Sequence, residues 1–234
     1  MDRQDISVTL PWMRQGTDLL LTTVDGLADG QLREPSALTD WTRAHVLAHL
    51  ARNAEALSRL ARWAATGDET PMYPDPASRN ADIERTAGHP ADVLRSELRD
   101  TAAELDRRLA ALDDAAWSAP VRTAQGRAIP GREIPWMRIR EVWLHSVDLD
   151  AGIRTTDFPR ELAEVFLDDV AAVVGGKPDC PPVVLHAADT DRTWPLGSDQ
   201  ERTEVSGPVA ELLAWVSGRP SNLTGRLPEL PPWI

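Results

Sequence analysis

Apolar residues recur at helical spacing through most of the first 150 positions. The spacing predicts four amphipathic helices, which span residues 6–29, 42–67, 90–112 and 135–151. The second helix has the clearest signals, because Thr42 can cap its start, Gly67 can end it, and a broad apolar stripe lies between them. Four such helices joined by loops predict a four-helix bundle.

The segments between these helices contain proline and glycine and few apolar positions. We therefore predict loops over residues 31–41, 70–88 and 113–135. The second and third loops are long, and long loops on a rigid scaffold are common places for functional sites.

The pattern changes after Ile153. A helix is predicted over residues 159–174, followed by strand-like runs at 182–186, 192–196 and 202–205 and by a last helix over 209–217. This composition indicates a small α+β unit. The expected fold class is thus α plus α+β, with an N-terminal bundle domain over residues 1–153 and a small C-terminal domain over residues 154–234.

Composition narrows the functional classes. The chain of 234 residues has a net charge of −12, which disfavours binding to nucleic acid. No apolar run approaches the roughly 18 residues of a membrane span, and the first residues lack the apolar segment of a secretory signal. Cys180 is the single cysteine and fits a reducing compartment. We therefore expect a cytoplasmic protein with no membrane or nucleic-acid partner.

Two of the predicted helices carry metal-ligand residues four positions apart. His45 and His49 lie on the second helix, and Glu141 and His145 lie on the fourth. Residues at this spacing project from the same face of a helix, and bundle cores build metal sites from Glu and His on facing helices. A surface ion pair between Glu141 and His145 is the alternative. The apolar neighbours of that pair favour the metal, because a buried Glu and His need partners.

Other polar residues are weaker candidates. Arg79, in the predicted loop after the second helix, and Arg219, after the last helix, could hold carboxylates, although either could simply be a solvated surface residue. Asp148 could orient the imidazole of His145 or form an ion pair with an arginine of the other domain, Arg219 being the candidate. Cys180 has no base beside it and is interpreted as a structural thiol.

Two motifs on the second and fourth helices resemble a known family. The segments WTRAHVLAHL, residues 41–50, and REVWLHSVDL, residues 140–149, are similar to the mycothiol-dependent maleylpyruvate isomerases. That family belongs to the DinB-like superfamily of metal-binding bundles. The resemblance covers most of the chain and extends to the order of the bundle, the small α+β domain and the Gly218-Arg219 pair.

The resemblance implies a site and a reaction. By position, His49, Glu141 and His145 would be the metal ligands, and His45 would not be one. Arg79 and Arg219 match basic positions around the pocket, and Asp148 matches an acid near the domain junction. A divalent cation, expected to be zinc, would bind mycothiol as its thiolate. The thiolate would add to the double bond of maleylpyruvate, a step in aromatic degradation, and elimination after rotation would give fumarylpyruvate.

Two alternatives share parts of this site. A mycothiol S-transferase would release the conjugate of another electrophile as its product, and a non-enzymatic binding module would hold a structural metal or none.

The expected partners are a low-molecular-weight thiol and a small dicarboxylate, and the chain could act as a monomer. The residues that bind mycothiol are not predicted.

Overall fold

Two units make up the part of the chain that the computed structural model describes, residues 3–198 and 201–233. One unit ends at Ile153 and the other begins at Arg154. The predicted domains over residues 1–153 and 154–234 stay a prediction, and their outer ends at residues 1, 2 and 234 lie outside the described residues.

The first unit is built on helices. They are α1 (Ile6–Asp25), α2 (Arg43–Thr66), α3 (Pro76–Ala87), α4 (Ala91–Ala110), α5 (Asp114–Ser118) and α6 (Ile134–Asp148). The four long members, α1, α2, α4 and α6, correspond to the four predicted helices, and the predicted bundle is confirmed. Helix α1 ends four residues earlier than predicted, because a separate 3-10 turn, Asp29–Arg33, begins in the connection that follows.

Helix α2 lies in the middle of the bundle and packs against α3, α4 and α6. It begins directly after Thr42, close to the predicted start, and the Thr42 amide donates to Nδ1 of His45 over 3.2 Å. It ends at Gly67, whose φ of 77° is a left-handed conformation that glycine adopts without strain. Apolar and small residues are buried around most of the circumference between these ends, so α2 is a fixed support for polar side chains at its surface.

Helices α1 and α6 approach each other closely at Gly16. A methyl group at that position would lie 2.5 Å from Nε1 of Trp143 and 2.7 Å from Cγ2 of Val142. The missing side chain lets the indole of Trp143 donate to the carbonyl of Trp12 over 2.9 Å. This contact fixes α6 in the bundle directly beside Glu141 and His145.

Helix α3 corrects the prediction of a loop over residues 70–88. Asp75 caps it by accepting a hydrogen bond from the amide of Ser78 over 2.8 Å, and Pro76 occupies a first-turn position that favours helix. Only Ile83, Thr86 and Ala87 are buried, which is why the apolar pattern alone did not predict a helix. As a consequence, Arg79 lies in the first turn of a helix and not in a loop.

The third predicted loop also contains regular structure. Helix α5 is capped by Asp113, and a short antiparallel hairpin follows, formed by β1 (Pro120–Arg122) and β2 (Ala128–Pro130). These elements are too short to give a periodic signal, so the prediction of a loop over residues 113–135 is wrong for this part.

The second unit is a small α+β fold, as predicted. Its elements are α7 (Arg160–Gly175), β3 (Val183–Ala187), β4 (Thr193–Leu196), β5 (Thr203–Gly207) and α8 (Val209–Val216). The strand order is β4-β3-β5, with β3 antiparallel to β4 and parallel to β5. Helix α7 packs against α8 and β4 to form the core of this unit.

Among the described residues, no helix combines the length and the apolar character that a membrane span requires.

Candidate metal site

Three metal-ligand side chains meet between α2 and α6. Oε2 of Glu141 lies 2.7 Å from Nε2 of His49 and 3.3 Å from Nε2 of His145. The two imidazole rings are 4.8 Å apart at their centroids and nearly perpendicular. Within residues 3–198 and 201–233, this is the one group of three or more His, Cys, Asp or Glu residues arranged to hold a metal ion.

One separation within this group matches that of donor atoms around a tetrahedral metal. Ligand bonds of about 2.0–2.2 Å to a tetrahedral zinc place neighbouring donor atoms about 3.3 Å apart. The separation between Glu141 and His145 has this value, and all three donor atoms lie within 4.8 Å of one another. The shorter separation between His49 and Glu141 is a hydrogen-bond distance, so binding would require these two atoms to move apart by roughly half an ångström.

Asp148 supports His145 from the other side of its ring. Oδ2 of the buried Asp148 lies 2.8 Å from Nδ1 of His145. A carboxylate accepts a hydrogen bond, so Nδ1 carries the proton and Nε2 faces Glu141. Although burial opposes it, hydrogen bonds and charges from Asp148 and Glu141 raise the pKa of His145 to about 9. The arrangement therefore directs Nε2 of His145 toward the proposed metal position.

The pKa values of His49 and Glu141 are both lowered, but by different causes. Burial lowers the pKa of His49, and the attraction of Glu141 only partly opposes this effect. Burial alone would raise the pKa of Glu141, but the charges and hydrogen bonds of His49 and His145 hold that pKa well below its usual range. A neutral imidazole and an ionised carboxylate are the forms that coordinate metals.

Arg79 contacts His49 on the remaining ring nitrogen. Nη2 of Arg79 lies 3.1 Å from Nδ1 of His49, and its guanidinium carbon lies 5.8 Å from the centre of the Tyr73 ring. A guanidinium only donates hydrogen bonds, so in this contact Nδ1 of His49 is the acceptor. The structure thus brings Arg79 next to the three grouped side chains.

His45, Arg219 and Cys180 lie in other surroundings. His45 caps α2, and its Nε2 lies 3.3 Å from a carboxylate oxygen of Glu84, which gives it a structural role. In the second unit, Arg219 donates to the carbonyl of Ser217 over 2.7 Å and lies 6.0 Å from the ring of Trp233. The predicted pairing of Arg219 with Asp148 stays a prediction. Cys180 is buried, and burial raises the pKa of its thiol, as expected for an unreactive cysteine.

Two residues near the grouped side chains were not predicted from the sequence. Tyr73 is the only tyrosine of the chain, and burial raises the pKa of its phenol. Arg138 lies one turn before Glu141 and is only 1% exposed. The rarity of tyrosine in this chain could have drawn attention to Tyr73, whereas nothing in the sequence distinguishes Arg138 from the other arginines.

These features define a helical bundle with a His-Glu-His group that could hold a metal ion. Comparisons with known proteins give the family of the chain. Residues 13–150 match the mycothiol maleylpyruvate isomerase N-terminal domain, and residues 157–232 match the C-terminal domain of the same family. The chain therefore belongs to the mycothiol maleylpyruvate isomerase family, and the resemblance noted in the sequence is confirmed.

Solved structures agree over the full length. The crystal structure of a mycothiol-dependent maleylpyruvate isomerase is 34% identical, with a TM-score of 0.93 and coverage of 100% of both chains. A histidine-to-alanine mutant of a mycothiol-dependent maleylpyruvate isomerase is 33% identical, with a TM-score of 0.94 and the same full coverage. Comparison with curated proteins gives no significant match.

The protonation of His145 predicts how the metal-free protein responds to pH. After treatment with a chelator, its stability should fall as the pH rises from 6.5 to about 9. The pKa of His145 is raised from 6.5 to about 9 on folding. The contribution of its imidazolium is therefore fully present below pH 6.5 and lost above about 9, and it amounts to at most about 3 kcal/mol. Urea unfolding at several pH values measures this slope.

The matched variant is His145→Asn, which keeps a polar side chain of similar size but does not titrate. The metal-free variant should show a flatter stability curve between pH 6.5 and 9. Equal slopes for the two proteins would contradict the assignment of this titration to His145.

Proposed function

We propose that the chain is a metal- and mycothiol-dependent isomerase that converts maleylpyruvate to fumarylpyruvate. The observation that carries this proposal is the His49-Glu141-His145 group, found in a chain of this family. The same enzyme would act in the cytoplasm, could act as a monomer, and would serve the degradation of aromatic compounds.

We assign His49, Glu141 and His145 as ligands of one divalent cation, and zinc is our choice. Two imidazoles and one carboxylate are a ligand set that zinc enzymes use while leaving a position for an external ligand. When bound, the cation would supply a positive charge that lowers the pKa of a thiol and so provides a thiolate at neutral pH. This assignment explains how a chain whose only thiol is the buried Cys180 could use sulfur chemistry.

Asp148 has a positioning role in this proposal. Its hydrogen bond holds the proton of His145 on Nδ1 and so keeps the lone pair of Nε2 directed at the cation. The buried carboxylate of Asp148 also offsets the positive charge that the site would carry with the cation bound.

Arg79 is our candidate for holding a substrate carboxylate. If Nε2 of His49 is a ligand, Nδ1 of the same ring must carry the proton. Nδ1 would then be a donor facing the Arg79 donor that now lies 3.1 Å away, and their hydrogen bond could not persist. The guanidinium, already half-buried beside the site, would be free to bind a carboxylate of the dicarboxylate substrate.

Arg219 is proposed as the second group that binds the substrate. Its guanidinium would hold the other carboxylate or stabilise the enolate that forms during the reaction. The family resemblance supports this role.

The proposed chemistry is balanced without an oxidant or reductant. The thiolate forms a carbon–sulfur bond, and the electron pair of the double bond moves into the neighbouring carbonyl as an enolate. Rotation about the resulting single bond and cleavage of the carbon–sulfur bond return the double bond in the trans form and release the thiolate unchanged.

The decisive experiment mixes purified protein with zinc, mycothiol and maleylpyruvate. We expect loss of the cis compound and formation of the trans compound, with no reaction when the thiol is omitted. Accumulation of a thiol conjugate, detected by mass spectrometry, would favour an S-transferase. Absence of metal by elemental analysis together with absence of turnover would favour a binding module.

A further inference from the structure

A buried arginine ties the two ligand-bearing helices together. Arg138 lies on α6 and is only 1% exposed. Its Nη1 donates to the carbonyl of Leu50 and to Oδ1 of Asn53, both on α2 and both at 2.8 Å. Leu50 directly follows His49 in the sequence, and Arg138 lies one turn before Glu141. The tie therefore joins α2 and α6 within one turn of the proposed metal ligands.

A second arginine makes the reciprocal connection. Arg43 lies at the start of α2, is 8% exposed, and donates to the carbonyls of Leu149 and Asp150, at 2.7 and 2.9 Å, just beyond the end of α6. Arg43 therefore donates hydrogen bonds from α2 to the end of α6, whereas Arg138 donates hydrogen bonds from α6 to α2.

The two ties enclose the metal-ligand group. Along α2 the order is Arg43, His49 and Asn53. Their partners on α6 and directly after it follow in the reverse order, as expected for antiparallel helices. One of these two arginines thus lies on each side of the contact between His49 and Glu141. Sliding or separation of α2 and α6 at this level would have to break hydrogen bonds to both arginines.

Stability alone gives a poor explanation for Arg138. Burial lowers the pKa of its guanidinium to about 10, so the group still carries its charge at neutral pH. Its Nε and Nη2 have no hydrogen-bond partner among the described residues, and the acceptors of its Nη1 are neutral. The negative charge of Glu141 opposes this effect of burial only in part. A buried charge without a hydrogen-bonded carboxylate usually destabilises a fold relative to an apolar side chain of similar size.

We propose that Arg138 and Arg43 are positioning residues that set the register of α2 against α6 and so keep the donor atoms of His49, Glu141 and His145 grouped closely enough to bind one metal ion. This inference rests on the metal site assigned above. Its consequence is that loss of the Arg138 tie weakens metal binding more than it weakens the fold.

The test compares Arg138→Met with the wild-type chain, both stripped of metal. Zinc affinity is measured by competition with a chromophoric chelator, and the melting temperature is measured on the same metal-free samples. We expect zinc affinity to fall by about 10- to 100-fold, the range typical of residues that orient metal ligands. The melting temperature of the metal-free variant should stay equal or rise, because a buried charge without a hydrogen-bonded carboxylate is removed.

Arg138→Lys and Arg95→Met complete the set. Lysine can place one ammonium near the Leu50 and Asn53 oxygens that Nη1 now serves, so Arg138→Lys should recover part of the zinc affinity. Arg95 ties α4 to Leu27 and Asp29 and is remote from α6 in its contacts, so Arg95→Met should bind zinc as the wild type does. If Arg138→Met fails to fold, Arg138→Lys still tests the proposal through its partial loss of zinc affinity.

The possible results separate this inference from the proposed function. Wild-type zinc affinity in Arg138→Met would overturn the inference, and so would a loss of affinity matched by an equal loss in Arg95→Met. A wild-type chain that binds no zinc would instead overturn the metal assignment itself.

Discussion

Replacing His49 with alanine should remove the proposed metal and the isomerase activity together while the bundle stays folded. His49 is buried on α2, and its Nε2 is one of the three donor atoms grouped around Glu141. Loss of a residue that only orients a ligand typically costs about 10- to 100-fold in metal affinity. Loss of a ligand itself should exceed about 100-fold. Elemental analysis of the purified variant and circular dichroism measure metal content and folding separately.

His45→Ala is the matched control, since His45 lies one turn away on the same helix. The His45 side chain caps α2 by accepting from the Thr42 amide, so its removal should cost about 1 kcal/mol of unfolding free energy without loss of metal. The opposite result, with metal retained in His49→Ala and lost in His45→Ala, would make His45 the ligand.

Retention of the fold in the His49 variant has independent support. A histidine-to-alanine mutant of a mycothiol-dependent maleylpyruvate isomerase has a TM-score of 0.94 to this chain, against 0.93 for another crystal structure of such an isomerase. Loss of a histidine side chain thus leaves the fold intact in that mutant. The apolar contacts of α2 are unaffected by a change at His49, so we expect the same here.

Helices α2 and α6 illustrate what the sequence could predict. Both are long, their apolar stripes are strong, and the spacing within each histidine-bearing pair places both members on one face. Helix α3 illustrates what it could not, because few of its residues are buried and its start depends on a local cap at Asp75. The position of Arg79 beside His49 results from that cap and from packing on α2. The periodicity of apolar residues could therefore not predict it.

The burial of particular charged residues could not be predicted from the sequence either. The chain has 24 arginines, and most are exposed or paired at the surface, so the pattern gave no reason to single out Arg138. Its burial results from the way α6 packs on α2, which is a tertiary property. Tyr73 was missed for the same reason, since its neighbours Arg79 and Glu141 come from two different helices.

Replacing Arg79 with methionine should separate substrate binding from metal binding. Methionine keeps the length and the apolar stem but cannot donate to a carboxylate. A hydrogen bond to a charged group contributes about 1.5–3 kcal/mol, so kcat/KM should fall by about 10- to 100-fold, mainly through a higher KM. Steady-state kinetics at saturating mycothiol measures this change.

Zinc affinity in the same variant should stay equal or increase. The positive charge of Arg79 repels a cation bound beside it, and its donor contact with Nδ1 of His49 competes with the protonation state that coordination through Nε2 requires. Arg85→Met is the matched control, because Arg85 lies on the same helix but is exposed and pairs with Asp82, so its removal should leave KM and zinc affinity unchanged. A loss of zinc in Arg79→Met would contradict this argument, since Arg79 would then stabilise the ligand set and not the substrate.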